Sequence, residues 1–257
     1  MLKIASWNVN SLNVRLPQVL AWCDAEQPDV LALQETKLPD ERFPVDELRE
    51  AGYHSVYSGQ KTYNGVAILS REPAVDPVTD IDGLDDPQRR ILAATVGGVR
   101  IIDLYVVNGS EVGSEKFEYK LDWLDKVSNW LATEVEQHDH VVVLGDFNIA
   151  PDDRDVYDPE AWHENILCST PERRALQRIL DLGLADTFRL FEQEERIWSW
   201  WDYRMNMFRR KLGLRIDLIL ASDQMAGRCT ASYIDIEPRR QERPSDHAPA
   251  VAEFKPL

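Results

Sequence analysis

Five times along this 257-residue chain, a short apolar run typical of a β-strand meets carboxylate, amide or imidazole side chains. Burial of a carboxylate is costly unless the group is paired or binds a metal ion. Strand ends that converge at one edge of a sheet would therefore gather these groups into one polar cluster. The five runs are 4–7, 30–33, 141–144, 216–220, which carries its carboxylate internally, and the last strand, which follows Asp246 and His247.

The polar residues at these positions have the composition of a metal-assisted hydrolase. Hard oxygen ligands favour Mg²⁺ or Mn²⁺, and the three cysteines lack the paired spacing of a zinc site. The candidate residues are Asn8, Asn10, Glu35, Asp146, Asn148, Asp217, Asp246 and His247.

Each candidate also has a simpler explanation when it is taken alone. Glu35 could be a surface or capping acid. Asp146 and Asn148 could form an Asx turn at the end of a strand. Asp217 could pair with Arg215, which lies two residues away on the same face of a strand. The order of the whole set, rather than any single residue, indicates a site.

Short β-rich runs alternate with helical stretches along the chain, and there is no linker, repeat or low-complexity block. The helices are predicted over 12–23 and 121–135, and from an N-cap at Thr170 to a stop at Gly183. We expect one domain over 1–257, with two sheets packed face to face and helices outside. Strands are predicted over 2–9, 30–33, 65–69, 100–107, 141–144, 216–220 and 248–254.

The net charge of -16, from 45 acids and 29 Lys plus Arg, argues against capture of nucleic acid by the overall field. Residues 196–215 depart from this balance, with six bases, one acid and five aromatic residues. Aromatic side chains interleaved with arginine suit a surface that follows or wedges a nucleic acid. The alternative is a solvated loop whose aromatic side chains belong to the core.

The motifs, taken together and in this order, resemble the exonuclease III family of DNA repair nucleases. This family includes bacterial exodeoxyribonuclease III and the apurinic/apyrimidinic endonucleases. The resemblance covers essentially the whole chain and implies a four-layered α/β sandwich of two mixed β-sheets packed face to face, with helices on the outside. The matching stretches are 6–11, 33–37, 64–69, 105–109, 145–151, 198–204, 214–222 and 245–249.

The resemblance also implies a role for each site residue. Glu35 would be the main ligand of Mg²⁺, or of Mn²⁺, Asp146 would orient or deprotonate the attacking water, and Tyr105 would donate to the phosphate or the leaving oxygen. Asp217 would orient His247 and raise its pKa. Because a charged imidazole suits phosphate stabilisation, we favour Asp146 over His247 as the general base. The implied metal site comprises Asn8, Glu35, Asp146, Asn148, Asp246 and His247. The implied catalytic residues are Tyr105, Asp146, Asn148, Asp217 and His247.

The implied partner is double-stranded DNA with abasic sites or 3′ ends. Leu214 stands where some apurinic/apyrimidinic endonucleases have a tryptophan. We expect a cytoplasmic monomer without a membrane role, because no apolar run is long enough to span a bilayer and the first residues do not form a signal peptide. The DNA contacts are predicted at Asn10, Asn108, Trp200, Arg204, Arg209 and Arg210.

Two alternatives belong to other functional classes. A phosphomonoesterase or phospholipase could use the same fold and a similar set of acids, amides and imidazole. A catalytically inactive DNA-binding module could use only the aromatic and basic segment 196–215. The complete set of Glu35, Asp146 and His247 argues against the inactive module, because binding alone does not require these residues.

Overall fold

The computed structural model describes residues 1–257, which form twelve strands, six α-helices and several short 3₁₀ turns. The strands are β1 (Leu2–Asn8), β2 (Val30–Gln34), β3 (His54–Ser58), β4 (Val66–Ser70), β5 (Val75–Val78), β6 (Ile91–Val96), β7 (Val99–Tyr105), β8 (Val141–Asp146), β9 (Leu184–Asp186), β10 (Asp217–Ser222), β11 (Cys229–Ile234) and β12 (Ala250–Phe254). The helices are α1 (Leu12–Glu26), α2 (Val45–Glu50), α3 (Glu115–Gln137), α4 (Pro159–Trp162), α5 (Thr170–Leu180) and α6 (Asp223–Ala226).

The strands form two six-stranded mixed sheets, with orders β11-β12-β1-β2-β4-β3 and β5-β6-β7-β8-β10-β9. The pairs β1–β2 and β7–β8 are parallel, whereas the other neighbouring strands are antiparallel. One buried apolar cluster joins the facing sides of the two sheets, and it includes Ile4, Val30, Ile68, Ile101, Val142 and Ile219.

Helices cover the outer face of each sheet. Helices α3 and α5 pack on the second sheet through a cluster that contains Leu124 and Leu176. Helices α1 and α2 cover the first sheet through Val19 and Leu48. The predicted four-layered sandwich is therefore confirmed. No helix is long and apolar enough to cross a membrane.

All of the predicted strands and helices are present, with shifted ends. Helix α3 begins well before the predicted residue 121, because the Ser114 hydroxyl accepts the main-chain N–H of Phe117 and starts the helix at Glu115. The start of α5 is capped by Ser169 rather than by Thr170, because Glu172 reaches back to accept the Ser169 main-chain N–H at 3.1 Å. Strands β3, β5, β6, β9 and β11 were not predicted.

A glycine sets how closely β7 and β8 approach each other near their ends. Gly145 adopts a φ of 142°, and a Cβ atom there would lie 1.9 Å from the main-chain oxygen of Leu104. The parallel register then pairs Tyr105 with Asp146, and the antiparallel register of β8 and β10 pairs Asp146 with Asp217. The second sheet thus delivers three of the predicted catalytic residues to one edge.

Candidate active site

A buried group of Asp146, Asp217 and His247 lies where the two sheets meet, and its ligand-type atoms lie within 4.8 Å of one another. The Nδ1 atom of His247 lies 2.9 Å from Oδ2 of Asp217, and its Nε2 atom lies 3.7 Å from Oδ2 of Asp146. The Ser199 hydroxyl donates to Asp217 at 2.6 Å. Asp217 is therefore held from behind and faces the imidazole, which fixes the ring between two carboxylates.

Burial and neighbouring charges shift the pKa values of both His247 and Asp146. Burial alone would lower the pKa of His247, but Asp217 and then Asp146 raise that pKa to about 10. Burial raises the pKa of Asp146 to about 7, against the opposing effect of the charged His247. At neutral pH the imidazole is therefore a cation, and Asp146 has the pKa of a group that can take up and release a proton.

Glu35 forms the other side of the site, directly after β2. Its Oε1 atom accepts the Asn8 amide and the Tyr105 hydroxyl, each at 2.9 Å, and its Oε2 atom lies 2.9 Å from the ammonium of Lys37. Burial would raise the pKa of Glu35, but Lys37 and Asn8 hold the pKa below the ordinary value. Burial and the neighbouring Glu35 raise the pKa of Tyr105 well above its ordinary value. Tyr105 is therefore a neutral donor next to an ionised carboxylate.

Asn8 links the two halves of the site. Its Nδ2 atom donates to both Glu35 and Asp146 at 2.9 Å, while its Oδ1 atom accepts the main-chain N–H of Asn10 at 3.0 Å. An amide nitrogen is a donor, so a metal-ligand role for Asn8 would require rotation of this amide by half a turn. In the observed orientation Asn8 instead spaces the two carboxylates. Asn10 holds Asp246 by a hydrogen bond of 2.9 Å.

Asn148 and Asn108 form a third group of contacts, next to Asp146. The main-chain N–H of Asn148 donates to Asp146 Oδ1 at 2.9 Å, and its Oδ1 atom accepts the Asn108 amide at 3.1 Å. The Asn148 amide nitrogen donates to the main-chain oxygen of Val106 at 2.9 Å. Asn148 is left-handed, with a φ of 48°, so the chain turns sharply just after Asp146. These contacts keep both asparagines at the edge of the site.

A buried cation supports these loops from below. The ammonium of fully buried Lys120 donates to the main-chain oxygens of Asn108 and Asn148 and pairs with fully buried Glu172. Glu172 also accepts the main-chain N–H groups of Leu167 and Ser169, each at 3.1 Å. Three loops at the edge of the site are thereby joined through one ion pair. This pair was not predicted from the sequence, because lysine on a helix usually faces solvent.

The site opens into a cleft of about 350 Å³. The cleft has an apolar wall that was not predicted from the sequence, formed by Trp162, Ile166 and Leu167. Trp200 also lines the cleft and donates to Asp246 Oδ2 at 3.0 Å. Among the residues of the two predicted sets, the cleft is lined by Glu35, Tyr105, Asn108, Asp146, Asn148, Trp200, Arg204, Asp246 and His247.

The basic segment 196–215 divides between the core and the surface. Trp198 and Trp201 are buried, as the core alternative required, whereas Tyr203 and Met205 are exposed. Buried Arg215 pairs with Asp155 at 2.6 Å and with Asp186 rather than with Asp217, so the alternative of a simple Arg215–Asp217 pair is wrong.

Of the three arginines predicted to contact DNA, Arg204 lines the cleft and pairs with Asp202 at 2.6 Å. Arg209 lines an adjoining pocket, and Arg210 is exposed and lines neither. Arg204 therefore lies on the same side of the molecule as Glu35 and His247.

The donor set fits a hard divalent cation. Glu35, Asp146 and Asp246 present carboxylates to one cleft that also contains amide oxygens but no thiolate. The ammonium of Lys37 lies 2.9 Å from Glu35, so this carboxylate already stabilises one positive charge. Glu35, Asp146 and Asp246 are thus candidate ligands for such an ion.

Comparison with known proteins adds to this geometry. The model of the endonuclease/exonuclease/phosphatase family matches residues 5–247. The chain belongs to this family. Exodeoxyribonuclease III of Haemophilus influenzae is 38% identical, over 99% of this chain and 100% of that protein.

Two solved structures of endonuclease/exonuclease/phosphatase relatives superpose over nearly the whole chain. A 3′ phosphatase from Neisseria, bound to a product DNA hairpin, has 52% identity and a TM-score of 0.98, with 99% of this chain and 100% of that chain covered. An AP endonuclease from Archaeoglobus fulgidus has 41% identity and a TM-score of 0.95, with the same coverage. Within its family this chain is a DNA repair nuclease of the exonuclease III type, a hydrolase that acts on DNA.

Proposed function

We propose that this nuclease uses Mg²⁺ to incise duplex DNA 5′ to abasic sites and to degrade it from 3′ ends by in-line attack of water. The observation that carries the proposal is the environment of Asp146. One of its oxygens accepts the main-chain N–H of Asn148 at 2.9 Å, and the other lies between the Asn8 amide and the His247 ring. Such a carboxylate is fixed in direction and retains lone pairs for a water molecule.

In this proposal Asp146 is the general base. Its pKa of about 7 suits proton transfer at neutral pH, whereas a pKa of about 10 leaves His247 without a free lone pair there. The charged imidazole instead stabilises the negative charge that develops on the phosphate oxygens. Asp217 keeps the ring oriented and charged, and Ser199 keeps Asp217 in place.

The remaining groups position the substrate and complete the charge balance. Tyr105 is a neutral phenol and donates to the phosphate or to the leaving oxygen. Asn148 positions the water or the scissile phosphate, and Asn108 contacts the DNA backbone. A divalent cation held by Glu35, with Asp246 beside it, would polarise the phosphate and offset charge on the leaving oxygen.

The two relatives with solved structures support both substrates. Removal of a 3′ phosphate and incision 5′ to an abasic nucleotide each free a 3′ oxygen from phosphorus, so one direction of attack serves both reactions. The wall of Trp162, Ile166 and Leu167 and the ring of Trp200 would enclose a sugar that lacks its base, which costs little to extrude because it has no stacking to lose. Arg204, at the same cleft, would contact a phosphate.

The test uses three labelled duplexes of one sequence. One has a central abasic site, one has a nick that carries a 3′ phosphate, and one has a recessed 3′ hydroxyl. Each is incubated with Mg²⁺, with Mn²⁺ and with EDTA. We expect cleavage of the abasic duplex and shortening of the 3′ ends in Mg²⁺, and no reaction in EDTA. The Asp146→Asn variant should lose about 10²–10⁴-fold in rate on all three duplexes if Asp146 is the base.

Asp122→Asn is the matched control, because Asp122 is an exposed aspartate on α3. It should retain the wild-type rate, and the far-UV circular dichroism of both variants should be unchanged. Full activity of Asp146→Asn would overturn the role of that residue. Hydrolysis of an inositol phosphate without cleavage of any duplex would favour the phosphomonoesterase alternative, and tight DNA binding without cleavage would favour the inactive module.

A further inference from the structure

Arg239 is a buried arginine that makes no ion pair. The residue is only 7% exposed, and its Nε atom has no hydrogen-bond partner. The only hydrogen bond of its side chain is a long one, from Nη2 to the main-chain oxygen of Trp201 at 3.5 Å. The other buried arginines differ, since Arg100 pairs with Glu134 at 2.7 Å and Arg215 pairs with two aspartates. A buried charge without a counterion is costly, so the site is short of an anion.

Aromatic rings hold the guanidinium but leave its N–H groups unsatisfied. The guanidinium carbon of Arg239 lies 4.8 Å from the ring centre of Phe208 and 5.3 Å from that of Tyr203. Such contacts stabilise the cation through the faces of the rings. They supply no acceptor in the plane of the guanidinium, where its donors point. The rings therefore fix the orientation of Arg239 and leave its terminal N–H groups, rather than the buried Nε, to face a ligand.

The guanidinium borders a pocket of about 440 Å³ with an excess of positive charge. Arg209 and Arg240 line the same pocket, and Asp202 is its only carboxylate. Asp202 is engaged by Arg204 at 2.6 Å, and Arg240 pairs outside the pocket with Glu237 at 2.9 Å. Arg209, like Arg239, makes no ion pair. Two unpaired guanidinium groups in one concave site suit the binding of an anion such as a phosphate.

The location of the pocket identifies the source of that phosphate. Asp202 lines both this pocket and the catalytic cleft, so the two are neighbours on one face of the molecule. A DNA strand that enters the cleft would therefore run past the pocket. We propose that the pocket of Arg209 and Arg239 binds one backbone phosphate of the DNA duplex, separate from the phosphate that is cleaved. The proposal rests on the DNA-binding function of the family, and not on the catalytic roles of Asp146 and His247.

Single methylphosphonate substitutions test this site, because each removes the charge of one backbone phosphate. Binding of a series of such duplexes is measured by fluorescence anisotropy in EDTA. In the wild-type nuclease we expect one position, outside the scissile phosphate, whose neutralisation weakens binding. In Arg239→Met that same position should cost no further affinity, while the other sensitive positions keep their effect. The slope of log affinity against log salt should also become shallower by about one unit.

Arg209→Met gives the same test at an exposed residue whose replacement leaves the core intact. Arg178→Met is the matched control, since Arg178 is an exposed arginine on α5 that does not line the pocket. The control should keep the full effect at the pocket position. An unchanged interference map in both Arg209→Met and Arg239→Met would overturn the proposal. Competition by inorganic phosphate that Arg239→Met abolishes, together with unchanged maps, would also overturn it in favour of a free anion. Catalytic rates do not enter the measurement, so its failure would leave the proposed reaction untouched.

Discussion

The ammonium of Lys120 lies 2.7 Å from the main-chain oxygen of Asn148, so a fully buried cation on α3 holds the loop that follows Asp146. The same ammonium lies 3.1 Å from the main-chain oxygen of Asn108 and pairs with Glu172. Through Glu172 the contact extends to Leu167 in the wall of the cleft. The catalytic edge is therefore supported by charge beneath it as well as by the two sheets.

Replacement of Lys120 by methionine should cost stability and rate together. The change leaves Glu172 buried without its partner, and breaking a buried pair in this way costs about 3–5 kcal/mol of the free energy of unfolding. Urea denaturation measures this loss. Lys126→Met, on the same helix, removes only an exposed pair with Asp122 and should cost less than about 1 kcal/mol. Equal stability of the two variants would show that the buried pair contributes nothing.

Replacement of Asp217 by asparagine should change the pH profile of kcat/KM. For the wild type we expect kcat/KM to rise as Asp146 loses its proton and to fall as His247, whose pKa is raised to about 10, loses its proton. Asp217 raises the pKa of His247, so its removal lowers that pKa and moves the alkaline limb to lower pH. Ser199→Ala should move the limb in the same direction by less. An alkaline limb that stays in place would exclude His247 as the group that titrates.

Addition of Mg²⁺ should raise the Tm of the wild type, and EDTA should reverse the change. A ligand at about 100 times its Kd stabilises a protein by about 2.7 kcal/mol. Glu35→Gln should remove most of the increase, whereas Glu47→Gln, on the surface of α2, should retain it. Lys37→Met should enlarge it, because the ammonium of Lys37 competes for Glu35 at 2.9 Å. A full Mg²⁺ response in Glu35→Gln would contradict the assigned ligand.

Replacement of Asp103 by asparagine should stabilise the protein at neutral and alkaline pH. Asp103 is fully buried between the sheets, its Oδ1 atom accepts the Gln34 amide at 2.7 Å, and its Oδ2 atom has no partner. Burial raises the pKa of Asp103 well above 3.8, so the folded state favours the neutral acid. The stability from this group is present in full below pH 3.8 and is lost as the pH rises through the raised pKa.

Asparagine does not ionise, so Asp103→Asn should remove this loss. We expect a gain in stability at neutral pH, which should shrink as the pH falls. Thermal unfolding over a pH series measures it. Asp139→Asn, at an exposed residue, should leave the pH dependence unchanged. A constant difference between Asp103→Asn and the wild type at every pH would rule out ionisation as the cause.

The sequence was most informative about the central strands and the residues at their ends. Polar residues after strands 4–7, 30–33 and 141–144 converge because the middle strands of two stacked sheets end at one edge. The pairing of Asp217 was open in the sequence, since Arg215 lies only two residues before it. In the structure Arg215 pairs with Asp155, and Asp217 contacts His247. These pairings depend on chain segments that lie far apart in the sequence.

The parts that could not be predicted depend on tertiary contacts. Edge strands such as β5, with largely exposed side chains, lack the apolar signal of a central strand. Trp198 and Trp201 lie in a basic segment that resembles a DNA-binding surface, yet both pack into the core. Lys120 and Glu172 are separated by 52 residues, and neither has a local signal of burial.

Glycine is the one residue that position 145 accepts without a clash between β7 and β8. Any side chain at this position would push into the main chain of Leu104, between the strand ends that carry Tyr105 and Asp146. The spacing of Tyr105 and Asp146 thus depends on the absence of a Cβ atom at Gly145. A second substitution on the surface cannot relieve the clash that a Cβ atom there would cause. In a saturation library selected for repair activity, we expect position 145 to return glycine alone, although it does not line the cleft.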